Sequence, residues 1–297
     1  MRIGIIGTGG MGKTHALSWR QTPATLAGFV SRSGRSDLAN EFGGRVFNTL
    51  EEMLPYVDVV DICTPTPLHH AQCLAAAKAG KHVICEKPLA SSVAEAEEMI
   101  QVCAAQGVQL LVAHVLRYFP DYAHAQAVVA RGEIGAVRRL DLRRASLIPF
   151  GAQNSWFTDP TISGGVLLDL IIHDFDFARW LAGEVTEAHL ESVAPDISEA
   201  VVLLKHAGGA ISRIEGVWNR PGNRFETSVR IEGEGAGAMN TITFDNTLPS
   251  ADDSNLPYAL QAQDFYAALT EGRTPRVTAQ DALAALKISF ALLAQRT

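Results

Sequence analysis

Residues 2–12, Arg2-Ile3-Gly4-Ile5-Ile6-Gly7-Thr8-Gly9-Gly10-Met11-Gly12, decide the fold. A short apolar run reads as a strand. The glycines that end it stand at the spacing G-x-G-x-x-G, directly before a helical pattern from residue 10 to about residue 21. Each glycine has its own task. Gly7 permits the tight turn, Gly9 lets the backbone approach a pyrophosphate, and Gly12 allows a helix to pack closely on the strand. The N–H groups and the positive dipole end of the helix N-terminus then face the anion. Between a strand and a helix, the motif predicts a dinucleotide site. A glycine turn without a ligand and a flavin in place of a nicotinamide are the alternatives.

Outward from that stretch, strands and helices alternate. Residues 26–31, 57–63, 82–85 and 109–114 read as strands, and residues 36–42, 68–79 and 93–105 as helices. The strands are nearly all apolar, as expected of a parallel sheet covered on both faces. Beyond about residue 118 the rhythm changes. A helix over 120–131, a long strand over 137–148 and one helix over 164–182 are followed by β-rich runs at 188–193, 200–205, 210–217, 227–232 and 239–244. Helices over 258–271 and 279–294 finish the pattern. Strands without intervening helices predict an antiparallel sheet. The expected fold is α/β: an N-terminal doubly wound Rossmann domain over 1–118, then an α+β domain over 119–297 with a large, mainly antiparallel open sheet.

Composition sets the outer limits. With 297 residues, two domains are expected at about 100–200 residues each. Hydrophobic residues make up 47% and charged residues 19%, enough for sizeable cores and too little charge for a disordered chain. The net charge of −7 argues against nucleic-acid binding by bulk electrostatics. There is no apolar stretch of about 18 residues, and the glycine-broken start is no signal peptide. Cys63, Cys73, Cys85 and Cys103 form no C-x-x-C pair and read as buried free thiols of a cytoplasmic protein.

The second strand ends in Phe29-Val30-Ser31-Arg32-Ser33. NAD sites usually place a carboxylate here, on the ribose 2′-hydroxyl. This chain has none before Asp37. Arg32 can instead pair with a 2′-phosphate, with Ser31 and Ser33 donating to it, so NADP is favoured over NAD. Open α/β sheets bind ligands outside the carboxyl ends of their strands. Thr64-Pro65-Thr66-Pro67-Leu68-His69 and Glu86-Lys87-Pro88 both follow strands there. The expected cofactor contacts are Gly7, Gly9, Gly10, Met11 and Gly12 in the glycine loop, and Ser31, Arg32 and Ser33 after the second strand. Thr64, Pro65, Thr66, His69, Glu86 and Lys87 complete them.

Lys87 sits where a parallel strand delivers a side chain into the crevice. Its ammonium can bond a substrate hydroxyl and stabilise a developing alkoxide. In Gly164-Gly165-Val166-Leu167-Leu168-Asp169-Leu170-Ile171-Ile172-His173-Asp174-Phe175-Asp176, three polar residues at i, i+4 and i+7 predict one stripe on a helix. A histidine near its ordinary pKa of about 6.5 can take or return a hydroxyl proton. Asp169, one turn away, can orient it. The bland readings are a solvated lysine and a helix-surface Asp/His pair. A metal is not expected, because neither H-E-x-x-H nor a cysteine cluster is present.

Together the glycine loop, the Thr64-Pro65-Thr66 turn, Glu86-Lys87-Pro88 and the spacing Gly-Gly-x-x-x-Asp-x-x-x-His resemble the Gfo/Idh/MocA oxidoreductase family. The run Leu168 to Asp176 looks most like its inositol-dehydrogenase branch. The resemblance covers most of the chain. It implies hydride transfer between a nicotinamide and a hydroxyl-bearing carbon of a sugar, inositol or related polyol. It also implies that Lys87 polarises or binds the reacting hydroxyl, that His173 is the acid/base and that Asp169 positions His173 and the substrate. Arg117 falls near the family's Arg-Arg-Phe-x-Pro segment, with Leu116 in place of the first arginine. Asn154 and Trp156 lie in the loop where members vary with substrate. A homodimer or homotetramer built on the second-domain sheet is implied too. An NAD-dependent glycoside-cleaving enzyme of the same fold and a non-catalytic NADP-sensing regulator are the alternatives.

Overall fold

The computed structural model describes residues 1–31, 36–147, 159–218, 225–235, 237–247 and 255–296. They form two compact units, Met1–Tyr118 with Asn255–Leu283, and Phe119–Ser254 with Ala284–Thr297.

The first unit alternates β1 (Arg2–Ile6), α1 (Gly10–Trp19), β2 (Thr25–Val30), α2 (Asp37–Phe42), β3 (Arg45–Phe47), α3 (Leu50–Met53), β4 (Val59–Ile62), α4 (His69–Lys78), β5 (His82–Cys85), α5 (Val93–Ala105) and β6 (Leu110–Val112). All strand pairs are parallel, in the order β3-β2-β1-β4-β5-β6. This is the doubly wound order that reverses between β1 and β4, where such sheets bind nucleotides. Val59, Val60, Asp61 and Ile62 are all buried, as a strand covered on both faces requires. β3 and α3 escape the periodicity reading because three or four residues are too few to show a period.

The register positions the site. Ile6 pairs with Ile62 and Ile62 with Cys85, so β1, β4 and β5 end level with one another. The ladder continues one step past each end: Cys63 N–H donates to the Ile6 carbonyl (2.8 Å) and Glu86 N–H to the Ile62 carbonyl (3.0 Å). The glycine loop, the Thr64 turn and the Glu86-Lys87 segment therefore leave the sheet side by side.

The second unit holds α6 (Pro120–Ala130), β7 (Ala136–Ser146), α7 (Pro160–Ser163), α8 (Ile172–Ala182), β8 (Val185–Val193), β9 (Glu199–His206), β10 (Ile211–Trp218), β11 (Glu226–Gly235) and β12 (Ala238–Thr247). Its sheet runs β12-β11-β7-β10-β9-β8 and is antiparallel except for the parallel pair β10–β7. Over residues 139–144 β7 alternates: Leu140, Leu142 and Arg144 are buried while Arg139 is exposed and Asp141 and Arg143 are half-buried.

Two expectations need correction. The helix expected over 164–182 is not continuous. Gly164 (φ +68°) and Gly165 (φ +58°) hold left-handed backbone, Val166–Leu170 winds as a π-helical turn, and α8 starts only at Ile172. The Ile171 N–H reaches back to the Val166 carbonyl (2.8 Å), the i→i+5 bond of a π turn. Single-turn π segments are recurrent at functional sites, and this one carries Asp169. The stripe through Asp169, His173 and Asp176 therefore does not follow simple α-helical spacing, and Asp176 is buried.

The second correction concerns the C-terminal segment, expected to belong wholly with the second domain. After α9 (Leu256–Glu271) comes α10 (Ala279–Leu293), and the stretch Asn255–Leu283 groups with the first unit. Ala262 and Phe265 of α9 join Ile3, Ile5, Trp19, Phe29 and Val59 in one core cluster. Apolar spacing marks α9 as a helix but carries no information on which core it enters.

Cys63, Cys73, Cys85 and Cys103 are free thiols; Cys63 is half-buried and the others are buried. Among the described residues no helix is long and apolar enough to cross a membrane. Phe265→Ala is expected to destabilise the first unit by about 3–5 kcal/mol. Denaturant unfolding checks this; a loss below about 1 kcal/mol would remove α9 from that core.

Candidate functional site

The glycine loop has the shape its sequence requires. Gly7 is left-handed (φ +100°), and a Cβ there would lie 2.5 Å from the Cys63 carbonyl group. A Cβ on Gly12 would overlap the Gly7 carbonyl oxygen, so α1 packs against the turn through a hydrogen atom. At Gly9 and Gly10 an added Cβ meets nothing within 4 Å. Those two glycines leave room for a ligand. α1 begins at Gly10 with no side-chain cap and no acidic residue in its first turn. Its N-terminus therefore keeps its positive dipole end for an anion.

His69 lies between the neighbouring strand ends. This ring, 1% exposed, stands 2.8 Å from the Thr64 carbonyl oxygen and 3.0 Å from that of Pro88. Burial lowers the His69 pKa, so the neutral ring donates its one N–H to one of these carbonyls and packs against the other, whereas the sequence suggested a direct cofactor contact. Thr64 Oγ1 donates to Gln72 Oε1 (2.6 Å), and Thr66 is buried. Lys87 is half-buried, and the bond that follows it, Lys87–Pro88, is cis.

Beneath these loops lies a cluster that the sequence reading missed. His15 of α1 is buried with its Nδ1 2.9 and 3.0 Å from the two Asp61 oxygens and its Nε2 2.9 Å from Glu86 Oε1. Trp19 Nε1–H donates to Asp61 Oδ2 (2.7 Å), and the Lys87 N–H to Glu86 Oε2 (3.0 Å). Burial opposes charge on His15, yet the Asp61 carboxylate prevails and holds the imidazole pKa well above its ordinary value. Burial likewise opposes charge on Glu86, but its bond to His15 keeps the carboxyl below its usual range. Burial and the Asp61 charge push the Cys63 thiol up to about 12. Ligand atoms of His15, Asp61 and Cys63 lie within 4.8 Å of one another. A metal would have to displace the protons of a charged imidazole and an unionised thiol, so the set fits a proton-held network better than a metal site. The signal in the sequence was Asp61, a lone carboxylate inside an apolar strand.

In the second unit, Asp169 is buried on the π turn and His173 is half-buried in the first turn of α8. Two devices fix that corner. Arg144 of β7 forks onto Asp174, with Nε–Oδ2 2.7 Å and Nη2–Oδ1 3.0 Å, next in sequence to His173. Ile197 adopts a left-handed φ of +53°, its carbonyl accepts the Val166 N–H (3.0 Å), and a Cβ on Gly165 would lie 2.5 Å from its own Cβ. A β-branched residue in that conformation is strained, and such strain gathers at functional sites.

Arg117 does not fit its expected substrate role. It is 3% exposed and donates to the Arg276 carbonyl (3.0 Å), with Asp281 3.3 Å away, all inside the first unit. Ser31 is buried at the end of β2, its N–H bonded to the Phe47 carbonyl (2.9 Å). Arg32, Ser33, Asn154 and Trp156 lie outside the described residues.

Comparison with known proteins agrees with this architecture. Residues 1–114 match the model of the oxidoreductase family with an NAD-binding Rossmann fold, and residues 122–239 match the GFO/IDH/MocA C-terminal domain. A myo-inositol 2-dehydrogenase of Thermotoga maritima is 31% identical over 72% of this chain and 68% of its own. The chain belongs to the Gfo/Idh/MocA oxidoreductase family. Another relative, an uncharacterized oxidoreductase of Bacillus subtilis, is 30% identical over 71% of this chain; the match spans 65% of that protein, just under two thirds of its length. The crystal structure of a gentamicin A biosynthesis protein in complex with NAD superposes with a TM-score of 0.87 at 25% identity, covering 99% of this chain and 93% of the other.

For a Gfo/Idh/MocA chain, the open space at Gly9 and the bare start of α1 fit a dinucleotide pyrophosphate. Two glycine substitutions separate binding from folding. Gly9→Ala is expected to leave the thermal midpoint of the cofactor-free protein unchanged and to weaken dinucleotide binding at least about tenfold, because the Cβ occupies ligand space alone. Gly12→Ala is expected to lower the midpoint itself. Calorimetry and titration check both, and equal midpoints would refute the close packing at Gly12.

The raised His15 pKa also predicts a sign. Its stabilising charge is complete below about pH 6.5 and is lost as pH rises through the elevated folded value. The lowered Glu86 pKa predicts the converse, stability lost as pH falls through its folded value. His15→Gln should flatten the alkaline decline in stability measured by denaturation, and an unaltered pH profile would contradict the bridge.

Proposed function

We propose that this protein is a nicotinamide-dependent dehydrogenase or reductase acting on a hydroxyl-bearing carbon of an inositol, sugar or related polyol. The observation that carries the reading is the level ending of β1, β4 and β5, which brings Lys87 to the same sheet edge as a glycine loop shaped for a dinucleotide, one strand away. The dinucleotide would be held by the Gly7–Gly12 loop and the Thr64 turn. When bound, its nicotinamide supplies the hydride acceptor or donor.

The chain's own residues handle the oxygen and the proton. The Lys87 ammonium donates to the reacting hydroxyl and stabilises the negative charge that grows on it. His173 takes the hydroxyl proton in oxidation and returns it in reduction, and Asp169 orients the imidazole and the substrate. The myo-inositol 2-dehydrogenase relative supports the substrate class. NADP is favoured over NAD because the segment after β2 offers Arg32 and two serines and no carboxylate. Association into a homodimer or homotetramer through the outer face of the second sheet, where Arg143 pairs with Glu215 (3.2 Å) and Arg139 with Asp141 (2.7 Å), is the expected assembly, in the cytoplasm.

Assay of the purified protein with both nicotinamide cofactors across an inositol and sugar panel tests this. Turnover of at least one polyol is expected, and inertness towards all would overturn the reading. His173→Ala is expected to lower kcat by about 10²–10⁴ with little change in cofactor affinity. An unchanged kcat would exclude His173 as acid/base. Arg32→Ala is expected to weaken NADP far more than NAD, whereas equal losses would assign that guanidinium to both cofactors alike.

A further inference from the structure

The structure assigns His15 a positioning role: by bridging Asp61 and Glu86 it fixes the main chain that presents the Lys87 ammonium. The inference rests on the reading that Lys87 meets the substrate. Glu86 divides its carboxylate between two donors, with Oε1 facing His15 Nε2 at 2.9 Å and Oε2 accepting the Lys87 N–H at 3.0 Å. The position of Lys87 is thus referred, through a single carboxylate, to α1. From the other side the Pro88 carbonyl is held 3.0 Å from His69 Nδ1. Two buried histidines from two helices, His15 and His69, flank the three-residue segment Glu86-Lys87-Pro88.

The anchor behind His15 is equally firm. Asp61 is fully buried and sits level with Ile5 and Ile84 in the sheet. It receives the Trp19 indole N–H and faces both the His15 ring and the Cys63 thiol, 3.6 Å away. Removing the imidazolium would leave two carboxylates buried without a cation between them. One of them would take up a proton or turn away. Where Glu86 turns away, the Lys87 N–H loses its acceptor. Misplacement by about 1 Å suffices to cost about 10²-fold in rate. Because α1 also carries the glycine loop, the same bridge refers Lys87 to the helix that receives the dinucleotide.

The test compares wild type, His15→Gln and the double variant His15→Gln/Glu86→Gln, in which two amides replace the charged bridge. If the role is positional, His15→Gln lowers kcat by about 10²-fold while cofactor Kd stays within about threefold, and the double variant regains about tenfold. Reductive methylation with ¹³C-formaldehyde supplies a readout independent of turnover, the resonance of the dimethylated Lys87 amine, assigned with Lys87→Arg. It is expected to shift in His15→Gln and to move back in the double variant. Superimposable Lys87 resonances, or losses of kcat and cofactor affinity in equal proportion, would overturn the inference. If wild type turns over no substrate, the dehydrogenase reading fails, and the Lys87 resonance still decides whether His15 positions that side chain.

Discussion

A buried cation between two buried carboxylates is the constraint on which the first unit's chemistry depends. An isolated charge at such depth would be too costly to keep, so each member of the His15–Asp61–Glu86 set is stable only while the others are present. Parallel pairing makes the set possible. β1, β4 and β5 end at one level, and the helix after β1 returns over the sheet to place His15 between carboxylates from the next two strands. The glycines that admit a dinucleotide and the carboxylate that holds the Lys87 N–H therefore belong to one rigid construction.

The second unit solves its own placement problem by different means. A continuous α-helix would have followed the plain periodicity of the sequence. Instead Gly164 and Gly165 enter in left-handed backbone, Ile197 presses into the space that Gly165 leaves, and a π turn carries Asp169 before α8 begins. The Arg144–Asp174 fork then pins the first turn of α8 beside His173. Strain at Ile197 and burial of an arginine both cost stability. Their occurrence next to Asp169 and His173 is what a site selected for geometry would show.

Legibility from sequence followed the range of the interactions. The doubly wound sheet, the mainly antiparallel second sheet and the glycine loop were readable because they rest on local periodicity and turn chemistry. Gly7 and Gly12 took the turn and packing parts their spacing implied, and Gly9 faces open space. What failed was long-range. Nothing near Arg117 announces that its guanidinium meets Arg276 and Asp281, and nothing in α9 announces that Phe265 enters the core around Trp19. Strand ends are where ligands bind, which points to a ligand contact for His69, yet its buried ring lies between the Thr64 and Pro88 carbonyls. The π turn was missed because a period of 3.6 is assumed wherever apolar residues repeat. Asp61, a carboxylate in a strand buried on both faces, demands a buried partner, but nothing local to it names His15.

The proposed reaction requires Lys87 and His173 to serve one substrate oxygen. A crystal structure with a nicotinamide dinucleotide and a turned-over polyol tests it most directly. Lys87 Nζ and a His173 ring nitrogen are both expected at about 2.7–3.2 Å from the same hydroxyl. A polyol bound with those two nitrogens on different oxygens, or with either one out of reach, would contradict it.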